Sequence, residues 1–146
     1  MEMSKRIGRR PVWAIAAAFA LAFAPYAGPA AGEEVKVTLS GSQEIPPVTT
    51  TASGTGTFAV DADRSVSGSV TVTGMTATVA HVHEAAAGTN GLIMIPLTKT
   101  SDTVWSVPPG IKLTDAQYAS FKAGNLYYNV HSEAHRSGEI RCQIKP

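Results

Sequence analysis

From Glu34 onward the chain alternates between apolar and polar positions in short stretches. In Glu34–Ser40, Val35, Val37 and Leu39 fall on one side and Lys36, Thr38 and Ser40 on the other, the period of two of a half-buried strand. Gly41 to Ser53 has no period and carries Pro46-Pro47, so it reads as loop. Thr57-Phe58-Ala59-Val60 and Ser65–Thr73 flank the polar run Asp61-Ala62-Asp63-Arg64, which predicts a hairpin. Thr76–His83, Leu92–Leu97 and Thr103–Val107 predict three further strands, and Leu126–His131 and Glu139–Ile144 predict two closing ones. One helix interrupts them: Thr114-Asp115-Ala116-Gln117 is a capping box, Tyr118 and Phe121 share a side, and Gly124 suits the stop. About eight short strands with turn signals and one short helix predict an all-β fold, an antiparallel β-sandwich or barrel.

The N-terminus follows another logic. Lys5, Arg6, Arg9 and Arg10 precede an apolar run from Val12 to Ala24, shorter than the roughly 20 residues that span a bilayer. Small residues around Ala30 and Gly32 then suit a signal peptidase. Residues 1–32 are therefore expected to be an export signal cleaved near Gly32–Glu33, leaving a domain over 33–146, periplasmic or secreted, with no membrane span. An uncleaved N-terminal anchor is the alternative.

Composition narrows the function. A chain of 146 residues allows one domain. A net charge of +1 provides no dense basic face for phosphates, so no nucleic-acid partner is expected. Removing residues 1–32 leaves 8 Lys+Arg against 10 Asp+Glu, a mildly acidic domain. The single Cys142 excludes an intramolecular disulfide and a multi-cysteine metal site. Because Ile140, Cys142 and Ile144 share a strand face, the thiol is expected to be buried and inert. Gly54-Thr55-Gly56 lies on a strand and reads as close strand packing, and no nucleophile elbow or P-loop occurs. Met75 and Met94 read as core filler, and Trp105, Tyr127 and Tyr128 as core or sheet-surface aromatics before a carbohydrate platform.

The four histidines carry the chemistry. They lie in two clusters, His81-Val82-His83 and His131-Ser132-Glu133-Ala134-His135. On a strand, residues i and i+2 project from one face, so His81 and His83 stand side by side. If the clusters meet, three or four imidazoles converge. Such a nitrogen-rich set suits copper, with zinc the second choice, and intrinsic affinity favours Cu(II) among divalent ions. Glu84 or Glu133 could complete the coordination or orient a ring. The alternative is a set of solvated surface histidines.

The segment from Val35 onward resembles the CHRD domain family. The resemblance rests on Leu39-Ser40-Gly41-Ser42-Gln43-Glu44-Ile45-Pro46-Pro47, on Ala80-His81-Val82-His83, and on Gly124-Asn125-Leu126-Tyr127-Tyr128-Asn129-Val130-His131-Ser132 with Ser137-Gly138-Glu139-Ile140-Arg141. It implies a secreted β-sandwich; Cys142 stands where the family usually has Gly. A second resemblance is to copper–zinc superoxide dismutase, an immunoglobulin-like sandwich. His81-Val82-His83-Glu84 is similar to its first copper-ligand motif and Val130-His131 to its late copper-ligand strand, which implies His81, His83 and His131 as copper ligands and His135 as a substitute for the absent fourth histidine. The zinc-loop ligands are missing, and Glu139 replaces the anion-guiding arginine, so superoxide would be repelled. The expected function is thus non-catalytic binding of a transition metal, copper favoured, through His81, His83, His131 and His135. The alternatives are an extracellular protein-interaction module without metal, its partner another extracytoplasmic protein, and a weak copper-dependent superoxide chemistry that needs an open coordination position.

Overall fold

The computed structural model describes residues 32–146; the expected export signal, but for Gly32, lies outside the described residues. No helix among them is long and apolar enough to cross a membrane. The chain runs β1 (Glu33–Ser40), a 3-10 turn (Gly41–Gln43), β2 (Ser53–Val60), β3 (Val66–Thr73), β4 (Ala77–Glu84), β5 (Leu92–Pro96), β6 (Thr98–Lys99), β7 (Val104–Ser106), α1 (Asp115–Lys122), β8 (Leu126–Ser132) and β9 (Ile140–Ile144). The fold is all-β and antiparallel with one short helix, as expected. β6 is the strand the sequence did not announce.

All nine strands belong to one sheet in the order β5-β4-β8-β9-β1-β2-β3-β7-β6. The first and last strands of that order, β5 and β6, are separated in the chain by Leu97 alone. The sheet therefore curls until its two edges nearly meet, and one face becomes the inside.

Alternation decides what lies inside. Val35, Val37 and Leu39 of β1 are buried and their neighbours Lys36 and Thr38 exposed; Val66, Val70 and Val72 of β3 repeat the pattern. The hairpin turn between β2 and β3 is held by Asp61 N–H donating to the Ser65 carbonyl and by the Ser65 hydroxyl donating to Asp63. Gly56 is obligatory for packing, because a β-carbon there would meet the carbonyl oxygen of Ser69 on β3. Across the interior, Phe58 packs on Phe121 of α1 (5.7 Å between centroids) and edge-on to Tyr128 of β8 (5.8 Å). Both halves of the capping box are present, Gln117 N–H on Thr114 Oγ1 at 3.2 Å and Thr114 N–H on Gln117 Oε1 at 3.0 Å. Met75, Met94 and Cys142 pack partly buried against the core, so the thiol expected to be buried is half-buried, and its burial raises its pKa.

β8 departs from alternation, for every residue from Leu126 to Ser132 is buried. Leu126, Tyr128 and Val130 face the core. Tyr127, Asn129 and His131 face outward, but the segments 41–52, 85–91 and 133–138 fold over them. The outer face of β8 is therefore an enclosed polar layer, and His131 belongs to it.

Candidate metal centre

Strand register assembles the site. In the antiparallel pairing of β4 with β8, His81 stands opposite Asn129, His83 opposite Tyr127 and Val79 opposite His131. Directly opposed residues share a face, so His81 and His131 are diagonal neighbours on the outer side, within reach of long side chains. His83 lies flat on Tyr127, 4.9 Å between centroids and 6° between planes. Nitrogens of His81, His83 and His131 all fall within 4.8 Å of one another.

Each ring is aimed. His83 Nδ1 lies 3.0 Å from the Gly91 carbonyl and His131 Nδ1 2.9 Å from the Arg136 carbonyl. A carbonyl only accepts, so both Nδ1 atoms carry the proton and both Nε2 atoms keep a free lone pair. His131 Nε2 lies 3.1 Å from His81 Nδ1. Nitrogens bound to one ion at about 2.0–2.1 Å stand about 2.9–3.6 Å apart at right to trigonal angles, so that pair is already at ligand spacing. His83 Nε2 is buried and meets no hydrogen-bonding group. A buried lone pair without a partner is costly, and a cation would satisfy it.

Burial also keeps the rings neutral. It lowers the pKa of His81 to about 4, reinforced by the charge that His131 and His83 would carry when protonated. Burial likewise lowers those of His83 and His131; the Gly91 and Arg136 carbonyls resist the change, and the charges of His131 and Arg141 add to it at His83. Neutral imidazole is the ligand form.

The other expected contributors stand apart. His135 offers no atom to the group; its backbone N–H donates to Ser132 Oγ in the turn after β8, which carries its ring off the strand face. Glu84 accepts a hydrogen bond from Ser120 of α1, and Glu133 pairs with Arg136, so neither carboxylate is engaged with the imidazoles. Glu139 is buried and accepts from Thr50 at 2.6 Å. Trp105, Tyr127 and Tyr128 are buried and form no carbohydrate platform. A cavity of about 520 Å³ beside Leu97, lined by Met94, Pro108, Ile111 and Leu113, contains none of the histidines.

Sequence reasoning missed the scaffold behind the rings. Arg141 of β9, buried, lays its guanidinium 3.5 Å from the centroid of Tyr127 and donates to Asn90 Oδ1 (3.0 Å) and the Thr89 carbonyl (2.8 Å). Asn90 donates to the Ile45 carbonyl at 2.9 Å, and Gly91 N–H to the Tyr127 hydroxyl at 3.0 Å. Residues 89–91, which present the Gly91 carbonyl to His83, are thereby held in place. Glu44, also buried, accepts from Asn129, and loss of hydration raises its pKa to about 7 despite Arg141 and Asn129. Gly138, at φ +130°, lies so close that a β-carbon there would fall 2.7 Å from Glu44 Oε1. A lone Arg between Ile140 and Cys142 was the one available signal, and it becomes readable only when β9 is paired with β8.

No curated protein and no solved structure matches the chain. The CHRD domain matches residues 35–144, which run from β1 through β9 and include all three clustered histidines. The matched span is 110 of the 146 residues, and the chain belongs to the CHRD domain family.

Proposed function

We propose that this is an exported, non-catalytic metal-binding protein that holds a transition-metal ion, copper before zinc, on His81, His83 and His131. CHRD domains are generally extracellular, and the basic and apolar segments within 1–32 support export. The observation that carries the metal reading is His83 Nε2, a buried nitrogen with no partner, on a ring grouped with two further imidazoles whose nitrogens lie within 4.8 Å of one another. An all-nitrogen set without thiolate suits copper and zinc, and copper leads by intrinsic affinity. Metal analysis of protein purified from its export compartment tests the proposal. Copper near stoichiometry in the wild type and none in His81→Ala/His83→Ala is the expected result; a wild type without metal overturns it.

A second reading, a protein-interaction module without metal, is favoured by one observation: Leu92 and Ile93 on edge strand β5 are 85% and 52% exposed. That reading predicts that a partner is recovered equally well by the wild type and the double histidine variant, and lost in Leu92→Ser/Ile93→Ser.

A further inference from the structure

The charge around the three imidazoles goes further than their geometry. Two of the rings, His83 and His131, are buried, and no carboxylate or thiolate belongs to the group. Glu84 is held by Ser120 and Glu133 by Arg136. A metal there keeps its full formal charge, since three neutral ligands offset none of it. The desolvation cost of placing an ion in a poorly hydrated site grows with the square of its charge, so this cost is about fourfold larger for a divalent ion than for a monovalent one.

A fixed cation adds to this. β4 and β9 flank β8, so the His83 ring and the Arg141 guanidinium approach Tyr127 from opposite sides, 4.9 Å and 3.5 Å from its centroid. None of the ion pairs among the described residues includes Arg141; its partners are Asn90, the Thr89 carbonyl and Gln143. Glu44, the acid whose charge acts on it, makes no ion pair with it and is hydrogen-bonded to Asn129. The cluster is thus backed, one ring's thickness away, by a positive charge that no carboxylate neutralises through direct contact. Three nitrogens also satisfy a three-coordinate monovalent copper, whereas Cu(II) asks for a tetragonal set that His135 does not complete.

We propose that the site selects by ion charge, holding copper as Cu(I) in preference to Cu(II) and Zn(II), and that Arg141 behind Tyr127 sets much of that preference. The proposal rests on the three-histidine reading above. Its test is competition titration of the metal-free exported protein against chromophoric chelators, with Cu(I) under argon and with Cu(II) and Zn(II) separately. Cu(I) is expected to bind at least about a hundredfold more tightly than Cu(II), which places the bound couple about 120 mV above the aqueous one. In Arg141→Gln the ratio falls about tenfold, or about 59 mV. Asn90→Asp sets a carboxylate against the same guanidinium at an exposed position and lowers the ratio without removing the buried arginine; circular dichroism melting shows which variants are folded. Cu(II) or Zn(II) binding as tightly as Cu(I), still abolished by His81→Ala/His83→Ala, overturns the charge selection and leaves the histidine site standing. A wild type that takes up none of the three ions overturns both. An unchanged ratio in folded Asn90→Asp removes Arg141 from the account.

Discussion

Glu44→Gln isolates the energetics of the enclosed polar layer. The Glu44 carboxyl is buried, and its pKa rises from 4.5 to about 7 because burial strips its hydration, more than Arg141 and the hydrogen bonds from Asn129 and the Ile45 backbone recover. The native pKa lies above the unfolded one, so folding takes up a proton between them. The stability linked to that proton is fully present below about pH 4.5 and is lost as pH rises through 7. At 1.36 kcal/mol per pKa unit the shift sets a ceiling of about 3 kcal/mol, which solvent screening of the carboxyl reduces to about 1–2 kcal/mol. Gln keeps an oxygen for Asn129 to donate to and does not ionise. The three clustered histidines have lowered native pKa values and give the opposite slope, with stability gained as pH rises toward 6.5. That slope is common to both proteins and cancels in their difference. Urea unfolding of wild type and Glu44→Gln, each with chelator, from pH 4.5 to 8.5 should give curves that coincide at the acid end. They should separate to about 1–2 kcal/mol in the variant's favour by pH 8. Parallel curves across the range would refute the claim that Glu44 is held protonated by its surroundings.

Metal should be retained on acidification to well below the usual imidazole range, because protons compete only near the lowered native pKa values, about 4 for His81; equilibrium dialysis in stepped buffers measures this, and half-release near pH 6.5 would contradict it. Gly138→Ala forces a side chain into a left-handed position against Glu44 and Asn129 and should cost about 2–4 kcal/mol in a thermal melt, with weakened metal retention because the same turn presents the Arg136 carbonyl to His131. Thr114→Ala deletes one half of the capping box and should cost about 1 kcal/mol while leaving metal stoichiometry unchanged.

Local patterns were readable where local physics decides. Val35, Val37 and Leu39 announce the buried side of β1 by alternation alone, and Thr114 and Gln117 announce a helix start because the cap is made by residues three apart. His81 and His83 share a face by the same period. Their meeting with His131 depends on register between strands 50 residues apart, which no local pattern encodes. His135 lies beyond the strand, where the path of a turn rather than a period of two sets direction, and it stands outside the group of three. The burial of Tyr127, Asn129 and His131 was illegible for a different reason: the covering segments, 41–52 and 85–91, are aperiodic. They are held down by scattered long-range polar contacts such as Asn90 to Ile45 and Glu44 to Asn129. β6, two residues long, is defined only by its partner β7.

Because Leu97 alone joins the outermost strands, one short stretch of backbone holds both rims of the sheet together. Unpaired strand rims are templates for association with other chains. A protease nick at Leu97 would free two rims at once. Intact, the chain keeps the two rims side by side through a single residue.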